Sequence, residues 1–323
     1  MSRLQELKQV LDQIMLAWKR DKQAALVMLL DVKGSSYRLP GTKMMMATDG
    51  QMWGTISGGC LESDLFSWAE KAMETQTPLI HTYDLSENEI WSLGIGCKGN
   101  LEILILPILK EDAFWEKTRT LTQQKSAFSL VLEVPSGKRI LIEENGMIHG
   151  DVEHVSSDIV EQGKRCLKTQ TRATLYSYNG KRYIIDAVKP SEHLIVAGAG
   201  RDAVPVAELA NKIGFTVSVL DSRTDLNNEK NFPNARHIVT QLDKIENSDL
   251  SDSWWVIMNH HQEKDEESLK LAIQSQPRFI GVLGPMSRTE EMLAKIQYSF
   301  SSGPIHSPIG LDIGAETMEE VAV

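Results

Sequence analysis

Leu194-Ile195-Val196-Ala197-Gly198-Ala199-Gly200-Arg201-Asp202-Ala203 decides how the second half of this chain folds. A short apolar run passes directly into glycines spaced G-x-G-x-x-A, which reads as a strand, a tight turn and the start of a helix. The helix continues through Pro205-Val-Ala-Glu-Leu-Ala-Asn-Lys-Ile213 to Gly214. A second strand at 215–220 ends on Asp221, about 20 residues past the turn. In a Rossmann-like unit such a turn places a pyrophosphate on the helix N-terminus and the acid on a ribose hydroxyl. Gly198, Gly200, Ala203 and Asp221 are therefore candidate nucleotide contacts. Arg223 lies two residues further on, able to face a phosphate or pair with an acid. Strands at 235–240, 254–258 and 278–283 extend the unit into a doubly wound parallel sheet over residues 191–323. His260 and His261 follow the strand at 254–258, on the edge where such sheets bind ligands, and join the candidate contacts. NAD is a cofactor this half allows, and an NAD-dependent oxidoreductase is one functional reading.

Residues 1–190 read differently. They begin with an amphipathic helix over 1–20, followed by two copies of one α+β unit at 24–108 and 127–190. Ala25-Leu-Val-Met-Leu-Leu-Asp-Val32 matches Phe128-Ser-Leu-Val-Leu-Glu-Val134, and Met45-Met-Ala-Thr-Asp-Gly50 matches Leu141-Ile-Glu-Glu-Asn-Gly146. Gly54 then matches Gly150. Helices are expected at 61–75 and 156–169, with closing strands at 79–84 and 100–106 in one copy and 173–178 and 182–188 in the other. The fold class is thus α/β: a duplicated α+β domain, then a Rossmann-like doubly wound domain. Only the first copy carries long glycine-rich loops, at 33–42 and 84–99, and only it carries Ser57-Gly58-Gly59-Cys60-Leu61-Glu62. Function gathers on loops held by a rigid frame, so the first copy is expected to hold a site and the second to complete the fold. A cysteine after two glycines, at a helix start with a carboxylate one turn in, suits a bound anion beside a thiolate.

Bulk composition narrows the classes. The chain has 323 residues, 41% hydrophobic and 24% charged, which fits two globular domains. A net charge of −10 argues against nucleic-acid partners and anionic membrane surfaces. No apolar run approaches the about 18 residues needed to span a bilayer. Three cysteines, Cys60, Cys97 and Cys166, are too few for a disulfide framework, so a reducing cytoplasm is expected. The cysteines and His81 do not fall at zinc-ligand spacing, and no metal site of the protein's own is expected. The acidic surface and the N-terminal helix allow a homo-oligomer. A nucleophile at a helix start also admits cysteine-based acyl or sulfur transfer.

Gly34-Ser-Ser-Tyr-Arg-Leu-Pro-Gly41, Ser57-Gly-Gly-Cys-Leu-Glu62 and Gly94-Ile-Gly-Cys97 resemble signature segments of the XdhC/CoxI family. Ala197-Gly-Ala-Gly200, Leu220-Asp-Ser-Arg223, Phe232-Pro233 and Pro308-Ile-Gly-Leu-Asp312 resemble its C-terminal Rossmann-type domain. The resemblance runs in order along nearly the whole chain. It implies an accessory protein that binds molybdenum cofactor, as molybdopterin or its dinucleotide form, supports its sulfuration and delivers it to a molybdenum hydroxylase apoenzyme such as xanthine dehydrogenase. A cysteine desulfurase is a further candidate partner. On this reading Cys60, Glu62 and Cys97 take the reactive place, the cysteines as soft sulfur donors and Glu62 as an orienting carboxylate. Ser57, Gly58 and Gly59, through their amides, join Ser36 and Arg38 in holding anionic oxygens, and Tyr37 stacks on the pterin. Lys98 follows Cys97 where the family pattern has glycine.

Overall fold

The computed structural model describes residues 2–34, 36, 38–84, 99–169, 172–240, 245 and 250–323. They form two compact units, one of Arg3–Pro190 and the other mainly of Ser191–Val323.

The first unit runs α1 (Arg3–Lys19), β1 (Ala24–Gly34), β2 (Lys43–Ala47), β3 (Met52–Trp53), α2 (Glu62–Thr75), β4 (Leu79–Asp84) and β5 (Gly99–Ile108). It then continues as α3 (Ala113–Gln123), β6 (Phe128–Val134), β7 (Arg139–Glu143), β8 (Ile148–Gly150), α4 (Ser157–Thr169), β9 (Thr174–Tyr178) and β10 (Lys181–Val188). The strands form two antiparallel sheets, ordered β3-β2-β1-β5-β4 and β8-β7-β6-β10-β9. The second order repeats the first strand for strand. One contact shows why the glycines match as well. Gly54 and Gly150 have φ of +90° and +104°, and a Cβ there would meet the carbonyl oxygen of Lys43 at 2.9 Å or of Arg139 at 2.3 Å. Lys43 opens β2 and Arg139 opens β7, so the same strand forbids a side chain at the same place twice.

The copies are longer than the sequence reading has them, since each begins with a helix, α1 or α3. The expectation started both copies at their first strand and omitted α3. Its buried face holds Thr118 and Thr122 beside Phe114, Trp115 and Leu121, which blurs the apolar period. Asp112 caps it by accepting from the Phe114 amide at 3.0 Å. Alternation along the strands builds the layers. Leu26, Met28 and Leu30 of β1 and Leu130 and Leu132 of β6 share one cluster with Leu7, Leu11 and Ile14 of α1 and Trp115 of α3. Ala25, Val27 and Leu29 face the other way, onto Leu65, Ala69 and Met73 of α2.

The second unit is β11 (His193–Ala197), α5 (Ala203–Ile213), β12 (Thr216–Leu220), β13 (Ala235–Ile238), β14 (Trp254–Ile257), α6 (Gln262–Gln274), β15 (Phe279–Val282), α7 (Met286–Lys295) and β16 (Ile305–His306). Its strands are all parallel and ordered β13-β12-β11-β14-β15-β16, the strand order of dinucleotide-binding sheets. Leu194 and Val196 pack against Ala203, Ala207 and Ala210 of α5, small residues that let the helix sit close. Ile195 and Ala197 pack on the opposite face with Leu269 and Ala272 of α6 and Met292 and Leu293 of α7. Helices on both faces make the sheet doubly wound. Among the described residues no helix is long and apolar enough to cross a membrane.

A charge pair joins the two copies of the first unit. Lys43 of β2 and Asp186 of β10 are both fully buried and bonded to each other. Lys43 Nζ also donates to the Gly41 carbonyl at 2.9 Å, and Arg3 reaches the second Asp186 oxygen at 2.6 Å. Removing one member of such a pair strands a charge in the core. Asp186→Leu, which leaves the buried Lys43 ammonium without a carboxylate, should cost about 3–5 kcal/mol in urea unfolding, and adding Lys43→Met should recover most of it.

Candidate functional site

The site is built on the end of the first sheet where β1 and β4 finish and β5 begins. Gly34 pairs with Gly99, and Lys33 and Asp84 both pair with Asn100. The ends of β1 and β4 and the start of β5 therefore share one edge. The N-terminus of α2 belongs to the same edge, because Tyr83 near the end of β4 donates to Asp64 in the first turn of α2 at 2.5 Å. Burial and this bond push the Tyr83 phenol above its ordinary pKa. Trp68 of α2 stacks on His81 at 4.3 Å between centroids, and His81 meets Tyr83 edge-on at 4.5 Å. Burial lowers the pKa of His81.

The Ser57–Leu61 loop sits at this edge, and its shape comes from Glu62. The Glu62 carboxylate is buried and accepts six hydrogen bonds from the preceding residues. Oε1 takes the Thr55 hydroxyl at 2.7 Å and the Ile56 and Ser57 amides, both at 3.0 Å. Oε2 takes the Ser57 hydroxyl, the Gly59 amide at 3.0 Å and the Leu61 amide at 3.2 Å. Thr55 Oγ1 in turn accepts from the Gly58 amide at 2.8 Å. To wrap one carboxylate so closely the backbone takes φ of +82° at Gly58 and +109° at Gly59. A Cβ on Gly59 would meet nothing within 4 Å, so the turn itself, and not a close neighbour, demands that glycine. Ile56 and Leu61 are buried in the α2 layer on either side, while Cys60 is exposed with a free thiol. Burial would raise the Glu62 pKa, but the bonds from Ser57, Thr55 and the amides outweigh it and hold it at about 2.

These contacts change the part that the loop amides can play. The sequence reading has the amides of Ser57, Gly58 and Gly59 turned toward a guest anion. In the structure they point at Glu62 and Thr55, so the protein's own carboxylate fills the cradle. What the loop presents outward is the sulfur. Glu62 itself is held too tightly to shuttle a proton near neutral pH. Helix α2 begins at Glu62, two residues after the thiol. The second copy closes the same gap with a 3-10 turn, Val152–His154.

Arg38 and Ser36 lie on segment 35–42. Arg38 donates through its guanidinium to Glu6 of α1 at 2.6 Å, and its amide donates to Ser36 Oγ at 3.4 Å. Burial raises the pKa of Glu6 against the pull of Lys43 and Arg38. Tyr37 and Cys97 lie outside the described residues. Cys166 is buried on α4.

In the second unit, Gly198 has φ +119°, and a Cβ there would meet the Met258 carbonyl oxygen at 2.5 Å. The turn thus passes tightly over the end of β14, at the point where strand order reverses. Asp221 Oδ2 accepts from the Ala199 amide at 2.9 Å, which ties the acid to the glycine turn. Burial would raise its pKa, but the Arg223 side chain and the amides of Arg223 and Ala199 outweigh this and hold it low. Gly200 allows a close approach, since a Cβ there would meet Asp202 Oδ1 at 2.5 Å. Ala203 is fully buried in the α5 layer and packs the helix on the sheet. His260 is exposed, and its Nε2 lies 2.6 Å from Asp202 Oδ2; His261, also exposed, precedes α6. Sequence reading passed over Asp265, which is almost fully buried and joins the Asn259 amide and side chain to the Arg288 guanidinium. Its one legible signal was an acid one turn into a helix that follows a strand end. Among the described residues no group of three or more His, Cys, Asp or Glu is placed to hold a metal ion.

A duplicated antiparallel unit bearing a glycine-cysteine loop, followed by a dinucleotide-type sheet, defines the class. The family model "XdhC and CoxI family" matches residues 17–84, and "XdhC Rossmann domain" matches 194–323. The chain belongs to the XdhC/CoxI family. It is 30% identical over 313 residues to a Bacillus subtilis protein named as a probable xanthine dehydrogenase subunit, covering 94% of this chain and 91% of that one. It is 24% identical over 264 residues to the Escherichia coli molybdenum cofactor insertion chaperone PaoD, covering 81% and 67%. A crystal structure of a Bacillus halodurans protein described as a xanthine dehydrogenase superposes with a TM-score of 0.78 at 26% identity, covering 100% of this chain and 93% of that one.

Glu62→Ala leaves its buried donors without an acceptor and should cost about 2–4 kcal/mol in chemical unfolding. The folded-state pKa of Glu62 lies below its ordinary 4.5, so its contribution is present above that pH and fades as pH falls toward 2. The difference in unfolding free energy between wild type and Glu62→Ala should therefore be constant from neutral pH down to about 5 and shrink below it.

Proposed function

We propose that this protein binds molybdenum cofactor at the edge of its first sheet and acts as an accessory protein that supports sulfuration of the cofactor and delivers it to a molybdenum hydroxylase such as xanthine dehydrogenase. The observation that carries this reading is the Glu62 knot, which holds Cys60 outward on a loop whose Ser57, Gly58, Gly59 and Leu61 amides are already bonded within the loop. A free, exposed thiol on a fixed backbone is a soft donor ready for a thiophilic centre, and it needs little reorganisation to bind. Cys97 would offer a second sulfur from segment 85–98, whose bracketing strands end at the same edge. The names of two relatives support the reading, one a cofactor insertion chaperone and one a component of a dehydrogenase.

The chain's residues fit such a group in part. When bound, the cofactor would bring a pterin, a dithiolene-held molybdenum and a phosphate. Cys60 would contact the sulfur and metal end. Arg38, charged and about one-third exposed, would bind an anionic oxygen on leaving Glu6. The amides of Ser57, Gly58 and Gly59 would not contribute, because Glu62 and Thr55 hold them. Tyr37 would stack on the pterin.

Native mass spectrometry of the chain, produced in cells making the cofactor, should show a pterin-sized adduct. Cys60→Ala should lose that adduct with an unchanged melting temperature; full retention would reject the assignment of Cys60. A dehydrogenase matured in the presence of the chain and then separated from it should keep its activity. Loss of activity on separation would favour a permanent component of the enzyme instead.

A further inference from the structure

We propose that the Ser191–Val323 unit carries a nucleotide site of its own, and that Arg223 sets this site for a dinucleotide phosphorylated on the ribose 2′ position, NADP(H) in preference to NAD(H). A cavity of about 690 Å³ opens beside α6, a size ordinary for small-molecule sites. Asp221 and Ser222 after β12, Thr240 after β13 and Asn259 after β14 frame it along the carboxyl edge of the sheet. Doubly wound sheets take their ligands on that edge, beside the point where strand order reverses. Lys264 and Leu271 of α6 line the facing wall, about two turns apart on the helix, and offer a cation and an apolar surface to the same space.

The charge at the ribose position separates the two dinucleotides. An acid at the end of the second strand accepts the ribose hydroxyls of NAD when its oxygens are available. Here they are not. Asp221 Oδ1 accepts from the Arg223 amide at 3.0 Å and from Arg223 Nε at 2.9 Å. Oδ2 accepts from Arg223 Nη2 at 2.5 Å and from the Ala199 amide at 2.9 Å. A carboxylate has about four acceptor positions, and these four donors fill them. The guanidinium has five N–H groups, two of which these bonds use, and its side chain is 41% exposed. The edge therefore presents a planar cation where an NAD site presents an acceptor, and a phosphate monoester matches that fork. On the facing helix Lys264 and Lys270 line the cavity together with Glu267, which leaves that wall with a net charge of about +1.

The site rests on the C-terminal unit alone and stands or falls apart from the cofactor reading of Cys60. Isothermal titration of the full chain with NADPH and with NADH tests it. NADPH should bind at least roughly tenfold more tightly, a difference of about 1.4 kcal/mol. Arg223→Gln should weaken NADPH by at least roughly tenfold and, by freeing the two Asp221 acceptor positions that the guanidinium holds, should tighten NADH, so that the preference for NADPH is lost. Equal or tighter binding of NADH to the wild-type protein overturns the proposal, and so does the absence of heat with either ligand at millimolar concentration. The wild-type comparison decides the matter even if the variant fails to fold.

Discussion

A single carboxylate organises the candidate site. Glu62 is buried at the start of α2, where a negative charge is favoured by the helix terminus but cannot be left without donors. The chain just before it supplies those donors and must curl back on itself to do so. That requirement explains the left-handed glycines, the inward amides and the buried flanks Ile56 and Leu61, and it leaves Cys60 with nowhere to point but outward. The exposure of the thiol is thus a consequence of satisfying Glu62. The same arrangement restricts what the loop can bind: the amides of Ser57, Gly58, Gly59 and Leu61 are committed, so a guest is left the sulfur and amide of Cys60 and side chains such as Arg38.

Duplication clarifies which features serve the frame and which serve the site. Both copies keep the strand order, the glycine that lets the chain cross β2 or β7, and a helix over the outer face. Only the first has the carboxylate knot. The second instead contributes Asp186, whose buried pair with Lys43 fastens the two sheets near the root of segment 35–42. Ion pairs of this kind add little net stability over an apolar pair, but losing one partner is strongly destabilising because it leaves the other charge buried. Arg3 and Arg38, bonded to Asp186 and Glu6, extend the same network toward the site edge.

Much of the fold was legible because it rests on local patterns. The alternation in Ala25–Val32 and Phe128–Val134, the paired Asp-Gly and Asn-Gly turns, and the strand-glycine-helix-strand-acid run from Leu194 to Asp221 each follow from a short-range rule. What could not be read depended on partners distant in sequence or on a choice between two acceptors. Nothing near Asp186 announces Lys43, which is 143 positions away. Ser57-Gly-Gly-Cys and Glu62 were recognisable as a unit, but whether the amides serve a guest or the neighbouring carboxylate depends on the side-chain direction of Glu62. Asp221 and Arg223 pose the same ambiguity in the second unit: an acid two residues from a base reads equally as a ligand contact and as a pair. In both places the internal partner occupies the acceptor or donor first.

The most direct test of the account is the alkylation rate of Cys60, followed by peptide mass spectrometry with and without molybdenum cofactor. Buried Cys166 serves as the unreactive internal control. Rapid modification of Cys60 is expected in the empty protein, with Cys166 left unmodified, and strong protection of Cys60 once the cofactor is bound. Equal modification of Cys60 in both states would show that the outward thiol does not meet the guest, and would contradict it.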